Sequence, residues 1–273
     1  MEEIKFPSFS FNKRLKSMLK VDIQRMFKMS FYYIMVGISF VIPILVLVMT
    51  TLMAGTESID PVTNEVVVME QIFTNVWQAI GSISGETSTN ESMGEMNMAA
   101  MCNIDMLIFA VAVLVCVFVG QDFRSGYSKN LFTVRSSKVD YVISKTIVGV
   151  IGGASMLIAY FIGAIVGGAI SSLSFEMVGF TSVNLIMCML SKIGLLFVFV
   201  PIFLVMSVVG KGRVWLSMIL AFAVSMLLFM MVAMLSPLNA TIVNVLGTLL
   251  LGALFSIGIG VISNLVLKKT SLV

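Results

Sequence analysis

The chain of 273 residues contains no histidine. That absence excludes the mechanisms that need an imidazole: Ser-His-Asp hydrolysis, HExxH zinc hydrolysis, His-ligated haem and histidine proton relays. Cysteine is scarce. Cys102, Cys116 and Cys188 form no CxxC pair, which argues against a metal cluster or a redox motif. Charge is also scarce, at 11% of residues, against about 25% in a globular domain. Too few polar side chains remain to cover a surface that faces water.

What is present is apolar. Hydrophobic residues make up 59% of the chain and the mean hydropathy is +1.06. Runs near 20 residues are long enough to cross about 30 Å of hydrocarbon at 1.5 Å per residue. Six such runs occur: Phe31–Met53, Ile104–Gly120, Thr146–Ser171, Val183–Val209, Val214–Leu235 and Thr241–Leu267. The basic region before the first run is too long for a cleavable signal peptide, so that run reads as a retained span. Sixteen of the 17 Lys and Arg residues fall on one side of this layout, and Lys192 lies within a span. The loop 54–103 has no Lys or Arg but carries Glu57, Asp60, Glu65, Glu70, Glu86, Glu91 and Glu95. The positive-inside rule then places both termini in the cytoplasm. The expected fold is an all-α polytopic membrane protein with six transmembrane helices. Residues 1–30 form a cytoplasmic connecting helix and 31–273 the six-span domain.

Three segments outside the spans carry further information. In residues 12–28, Leu15, Met18, Leu19, Ile23, Met26 and Phe27 share one helical face, which Asp22 interrupts. A basic amphipathic helix beside a first span is expected in the interface, as an anchor to anionic lipid or as part of a partner surface. In the outer loop, Ile72, Phe73, Val76, Trp77, Ile80 and Ile83 have helical spacing, so a short helix is expected on the outer membrane face. Beyond a polar stretch at 85–92, Met93, Met96, Met98, Met101 and Met106 surround Cys102. Soft sulfur ligands suit Cu(I). With 23 Met in the chain such clusters are expected without one, and no metal site is assigned.

Residues 121–145 mix charges with aromatic and aliphatic side chains, a composition suited to docking another protein. Asp122-Phe123-Arg124, Gly126-Tyr127, Lys129-Asn130-Leu131, Arg135-Ser136, Tyr141 and Lys145 follow one another into the third span. This segment resembles the cytoplasmic coupling loop of permease subunits of the type-2 (ABCG-like, type V) ABC exporters. The amphipathic N-terminal helix and the six-span layout resemble them too; the outer loop 54–103 is longer than in the compact members. The resemblance implies a permease that pairs with a second copy or a homologous permease and docks on a cytoplasmic ABC ATPase subunit. ATP and Mg would be bound by that partner. This chain has no GxxxxGK[ST] phosphate loop, and Gly210-Lys211-Gly212-Arg213 lacks the spacing. No enzymatic activity, cofactor or nucleic-acid partner is expected of the chain itself.

Within the spans, Lys192 reads either as an intramembrane charge or as a side chain snorkelling to the outer boundary. Asp105 lies at similar depth on a parallel span and is a candidate partner for it. Small residues at Gly149, Gly153, Ala159, Gly163 and Gly167 suit close helix packing. Pro43 and Pro201 can kink their helices. Met218, Phe222, Met226 and Phe229 form a candidate cargo pathway, or a lipid-facing or packing surface. The expected cargo is hydrophobic or amphipathic, with an exported peptide such as an antimicrobial peptide the first choice, across a bacterial plasma membrane. The alternative is an ion-coupled secondary transporter of a small apolar substrate, although such proteins usually carry midplane carboxylates. A membrane-embedded enzyme lacks its catalytic parts here.

Overall fold

The computed structural model describes residues 11–59, 66–68, 71–83, 103–134, 138–210 and 213–269. Its helices are α1 (Phe11–Lys28), α2 (Ser30–Met53), α3 (Leu107–Arg124), α4 (Tyr127–Val134), α5 (Val139–Ile170), α6 (Ser182–Val209), α7 (Val214–Leu235) and α8 (Ile242–Lys269). Between α2 and α3 a short antiparallel ribbon pairs β1 (Glu57–Ile59) with β2 (Val66–Val68). Among the described residues, five helical stretches are long and apolar enough to cross a membrane: Ser30–Met53, Ile104–Arg124, Val139–Ile170, Ser182–Val209 and Ile242–Leu267. α7 is also apolar along its 22 residues.

The helices form an inner and an outer layer. α3 and α6 are mostly buried, with α5 beside them, whereas α2 and α8 each bury only a minor part of their surface. α2 leans on α5, α8 leans on α6, and α7 packs between α3 and α6. The outward sides of α2, α7 and α8 are apolar, with Ile34, Leu45, Leu52, Leu227, Met234, Val243, Leu250 and Ile257 exposed. Such a surface is stable against hydrocarbon, not against water.

Small residues set the closest approaches, and the α5 stripe serves two neighbours. A Cβ on Gly163 would stand 2.2 Å from the Phe40 carbonyl oxygen, and one on Gly167 would stand 2.9 Å from Ile44 Cα, so α2 crosses here backbone to backbone. Gly149 and Gly153 face α6 instead, where a Cβ would meet Val200 and Leu196. The α6–α8 contact works the same way at Gly194 and Gly252.

The structure alters three expectations. First, the helices run past the apolar runs. The second span continues beyond Gly120 to Arg124, and the third starts at Val139 rather than Thr146. The described residues of 121–145 are thus largely helix ends and the short helix α4, because Asp122, Asp140 and Lys145 are paired inside the protein. Second, the outer-loop segment 72–83 forms a single 3-10 turn, Val76–Ala79, and does not lie as a helix on an outer face. Phe73, Val76, Trp77 and Ile80 point into the protein, against Leu47, Ala164, Leu173, Leu185 and Leu238. The Asn75–Gln78 capping box starts the turn, and the bonds Val76 N to Ser174 O (3.1 Å) and Trp77 Nε1 to Phe175 O (3.1 Å) tie it down. Third, Lys192 does not snorkel: it is 4% exposed. Arg135, Ser136, Cys102 and Met93–Met101 lie outside the described residues.

Candidate functional site

α1 packs along α5 through the face expected of it. Met18 and Met26 are buried, Leu15, Leu19 and Ile23 are half-buried, and Phe27 alone of the six stays exposed. Asp22, the one acid in the helix, is fully buried at the centre of that face. A lone carboxylate there would cost several kcal/mol. Its partners explain it. Lys145 Nζ stands 2.9 Å from Asp22 Oδ1, and Ser144 Oγ donates to Asp22 Oδ2 at 2.6 Å.

Lys145 joins a second carboxylate. Its Nζ lies 2.7 Å from Asp122 Oδ2, which also accepts from the Tyr141 hydroxyl at 3.1 Å. Asp122 Oδ1 meets Arg25 Nη2 at 2.7 Å. Two carboxylates and two cations therefore form one neutral cluster that ties α1 to the end of α3 and the start of α5. Aromatic rings border it: Arg25 lies 4.1 Å from the centre of the Tyr127 ring, and Lys145 lies 3.9 Å from that of Phe118. Burial disfavours the Arg25 charge, but Asp122 more than restores it, so the guanidinium pKa is raised. Burial, then the nearby Asp22 carboxylate, pushes the Tyr127 phenol up. A separate pair, Arg14 Nε to Asp140 Oδ2 at 3.3 Å, clamps the first turns of α1 and α5 together.

α4 hangs from this cluster. Gly126, at φ +71°, makes the turn from α3 into α4, a backbone conformation that disfavours any residue with a Cβ. Ser128 Oγ donates to the Asp122 carbonyl at 3.2 Å, while Lys129 and Asn130 face outward. Phe123, Leu131 and Phe132 pack inward against Tyr141, with the Phe132 and Tyr141 rings edge to face at 5.3 Å. The twelve residues singled out between 121 and 145 thus divide. Asp122, Tyr141 and Lys145 are interior. Arg124, Lys129 and Asn130 are exposed. Asp22 and Arg25, which the sequence reading did not place with them, complete the cluster; the acid breaking the apolar face of α1 was the available signal.

A second charged group lies at the opposite helix ends. Lys192 of α6 contacts Asp105 Oδ1, with both side chains buried, and donates to Ser236 Oγ at 3.2 Å. Asn103 Oδ1 accepts from the Asp105 backbone N–H at 3.0 Å and fixes the turn that presents the carboxylate. Cys188, one turn before Lys192, donates to the Ser236 carbonyl at 3.3 Å. The candidate cargo residues of α7 differ in their surroundings. Phe222 and Phe229 pack on Phe109 of α3, at 5.6 and 6.1 Å between ring centres, Met218 packs inward, and Met226 is exposed.

Among the described residues, no group of three His, Cys, Asp or Glu could hold a metal ion. Among the described residues, each buried charged side chain is paired with an opposite charge. Comparison with family models, curated proteins and solved structures returns no match.

Proposed function

We propose that the chain is the membrane-spanning permease subunit of an ATP-driven exporter, powered by a separate cytoplasmic ATPase. The observation that supports this best is the short helix α4. It presents Lys129 and Asn130 outward from a turn anchored, through Asp122, to a buried cluster shared by α1, α3 and α5. A partner pushing on α4 would move those three helix ends together, which is how a rigid-body motion passes from one protein to another. On this reading the α1 end is cytoplasmic. α7 is the sixth span, since its 22 residues extend about 33 Å. α1 rests in the headgroup layer, with Lys13, Lys16, Lys20 and Lys28 outward. The apolar outer faces of α2 and α8 meet lipid or a second permease copy. The proposed cargo is an amphipathic or hydrophobic peptide, and the proposed setting is a bacterial plasma membrane.

The buried Asp105–Lys192 pair favours a second reading, an ion-coupled secondary transporter. One experiment separates the two. The chain is purified from its native membranes and reconstituted with whatever ATPase accompanies it, and uptake of a labelled amphipathic peptide into inverted vesicles is followed. The exporter reading expects uptake that requires ATP and survives collapse of ion gradients. Uptake driven by an imposed proton or sodium gradient without ATP would overturn it.

A further inference from the structure

The two ends of the helix bundle are closed in different ways. At the α1 end, several ion pairs and hydrogen bonds hold three helices in one cluster. At the far end one buried ion pair stands where four elements meet. Asp105 lies in the 3-10 turn that leads into α3, Lys192 is on α6, Ser236 caps the end of α7, and Gly81 of the inserted segment would bring a Cβ within 3.8 Å of Lys192 Nζ. The Leu238 amide donates to the Ser82 carbonyl at 2.8 Å and closes the ring. Asp105 and Lys192 also border a cavity of about 10 Å³, otherwise walled by apolar side chains such as Ile108, Val111, Leu196 and Phe199. That is about the size of one water molecule.

We propose that the Asp105–Lys192 pair is a reversible latch that seals the outer end of the bundle, with the 73–83 segment as its plug. The argument is energetic. A seam closed only by apolar side chains opens at the full cost of wetting them, whereas a buried ion pair is close to break-even: its desolvation cost offsets most of its attraction. When α3, α6 and α7 separate, both charges regain water. The closed and open states then differ little in free energy, as a two-state element driven by a distant motor requires. Ser236 draws the end of α7 into the closure, because its hydroxyl accepts from Lys192 and its carbonyl from Cys188.

This inference rests on the transport reading, but its test does not use cargo or ATP. Cys188 is a native reporter, buried beside the latch, and Cys116 is a buried reference deeper in α3. The full chain, with Cys102→Ser as background, is placed in nanodiscs, where both faces meet solvent. Labelling of each cysteine by a water-soluble maleimide is then timed by mass spectrometry. Asp105→Asn is expected to speed Cys188 labelling about tenfold or more, since it leaves a buried cation without its partner, with Cys116 unchanged. The charge-swapped double variant, Asp105→Lys with Lys192→Asp, is expected to return Cys188 toward the parent rate. Ser236→Ala, which removes the hydroxyl that accepts from Lys192 and donates to the Val232 carbonyl and leaves both charges in place, is the milder variant should Asp105→Asn not fold, and is expected to act in the same direction. Unchanged Cys188 labelling overturns the latch. So does Cys188 and Cys116 labelling rising together, which would mark the pair as a support of the whole fold. A latch that passes this test in a chain that moves no cargo with ATP would leave the latch standing and remove the exporter reading.

Discussion

At the scale of single residues, the interior charges decide which substitutions are tolerated. Asp22 and Lys145 are both fully buried and in contact. Replacing Asp22 by Asn leaves Lys145 with Asp122 alone and Arg25 with one carboxylate fewer, and loss of one partner from a buried pair typically costs about 3–5 kcal/mol. Removing both members together, as Asp22→Leu with Lys145→Met, leaves the Arg25–Asp122 pair neutral. It is expected to cost less than the Asp22→Asn change, as read by thermal unfolding in detergent. Tyr127 gives a pH signature. Its phenol pKa is raised, so the unfolded chain ionises first as the solution becomes alkaline. Below the ordinary tyrosine value of about 10 the residue makes no pH-dependent contribution. As pH climbs through that value toward the folded one, the native state loses stability. A Tyr127→Phe variant is expected to lack that loss, so the two stability curves converge or cross above neutral pH.

At the scale of elements, glycine governs how α2 sits on α5. Gly163 faces backbone, the Phe40 carbonyl oxygen, and backbone cannot swing aside as a side chain can. Gly163→Ala must therefore push the helices apart, whereas a Cβ at Gly247 meets nothing within 4 Å and Gly247→Ala is expected to be neutral or slightly stabilising. Comparing the two variants by unfolding midpoint separates tight packing from general helix propensity. The inserted segment is held by its aromatic anchor: Trp77 packs near Phe161, Phe175 and Phe180. Trp77→Ala is expected to cost about 3–5 kcal/mol locally, the usual range for a buried aromatic. It should also make residues 73–83 a site of limited proteolysis.

These elements also mark how far a linear reading reaches. Periodicity and run length located the apolar helices, since both are local properties. The apolar face of α1 was legible for the same reason. The ends of α3 and α5 were not, because Asp122, Asp140 and Lys145 look like solvated loop residues until their partners on α1 are known, and Asp22 lies 100 positions from Asp122 in the chain. The inserted segment misled in a related way. Helical spacing of Ile72, Phe73, Val76, Trp77 and Ile80 signals that apolar groups share a side, and an irregular turn buried between helices satisfies that pattern as well as a helix does. Asp105 and Lys192 were nameable as partners from their matching depth, while the involvement of Ser236 and Gly81 required the fold.

At the scale of the whole molecule, the proposed coupling divides into contact and transmission, and the two fail differently. Lys129 and Asn130 face outward on α4 and would touch an ATPase directly; Asp22, Asp122 and Lys145 are buried, with the half-buried Arg25 beside them. Lys129→Glu reverses an exposed charge, so it is expected to weaken assembly with the ATPase. Rim charge changes act mainly on association and its salt dependence, by about tenfold or less. Folding of the permease alone should not change. The buried double variant, Asp22→Leu with Lys145→Met, leaves the α4 surface as it is. It is expected to bind the ATPase normally, because the contact residues are untouched. Cargo moved per ATP hydrolysed should nevertheless fall, because Lys145 no longer ties α5 to Asp22 of α1 and Asp122 of α3, and only the Arg25–Asp122 pair still joins α1 to α3. Binding measured by co-purification over a salt series, together with the ratio of transport to hydrolysis in proteoliposomes, distinguishes the two. If both variants reduce binding alone, α4 and its cluster form a docking platform without a transmitting role. If both reduce only the ratio, the docking surface lies elsewhere on the α1 end.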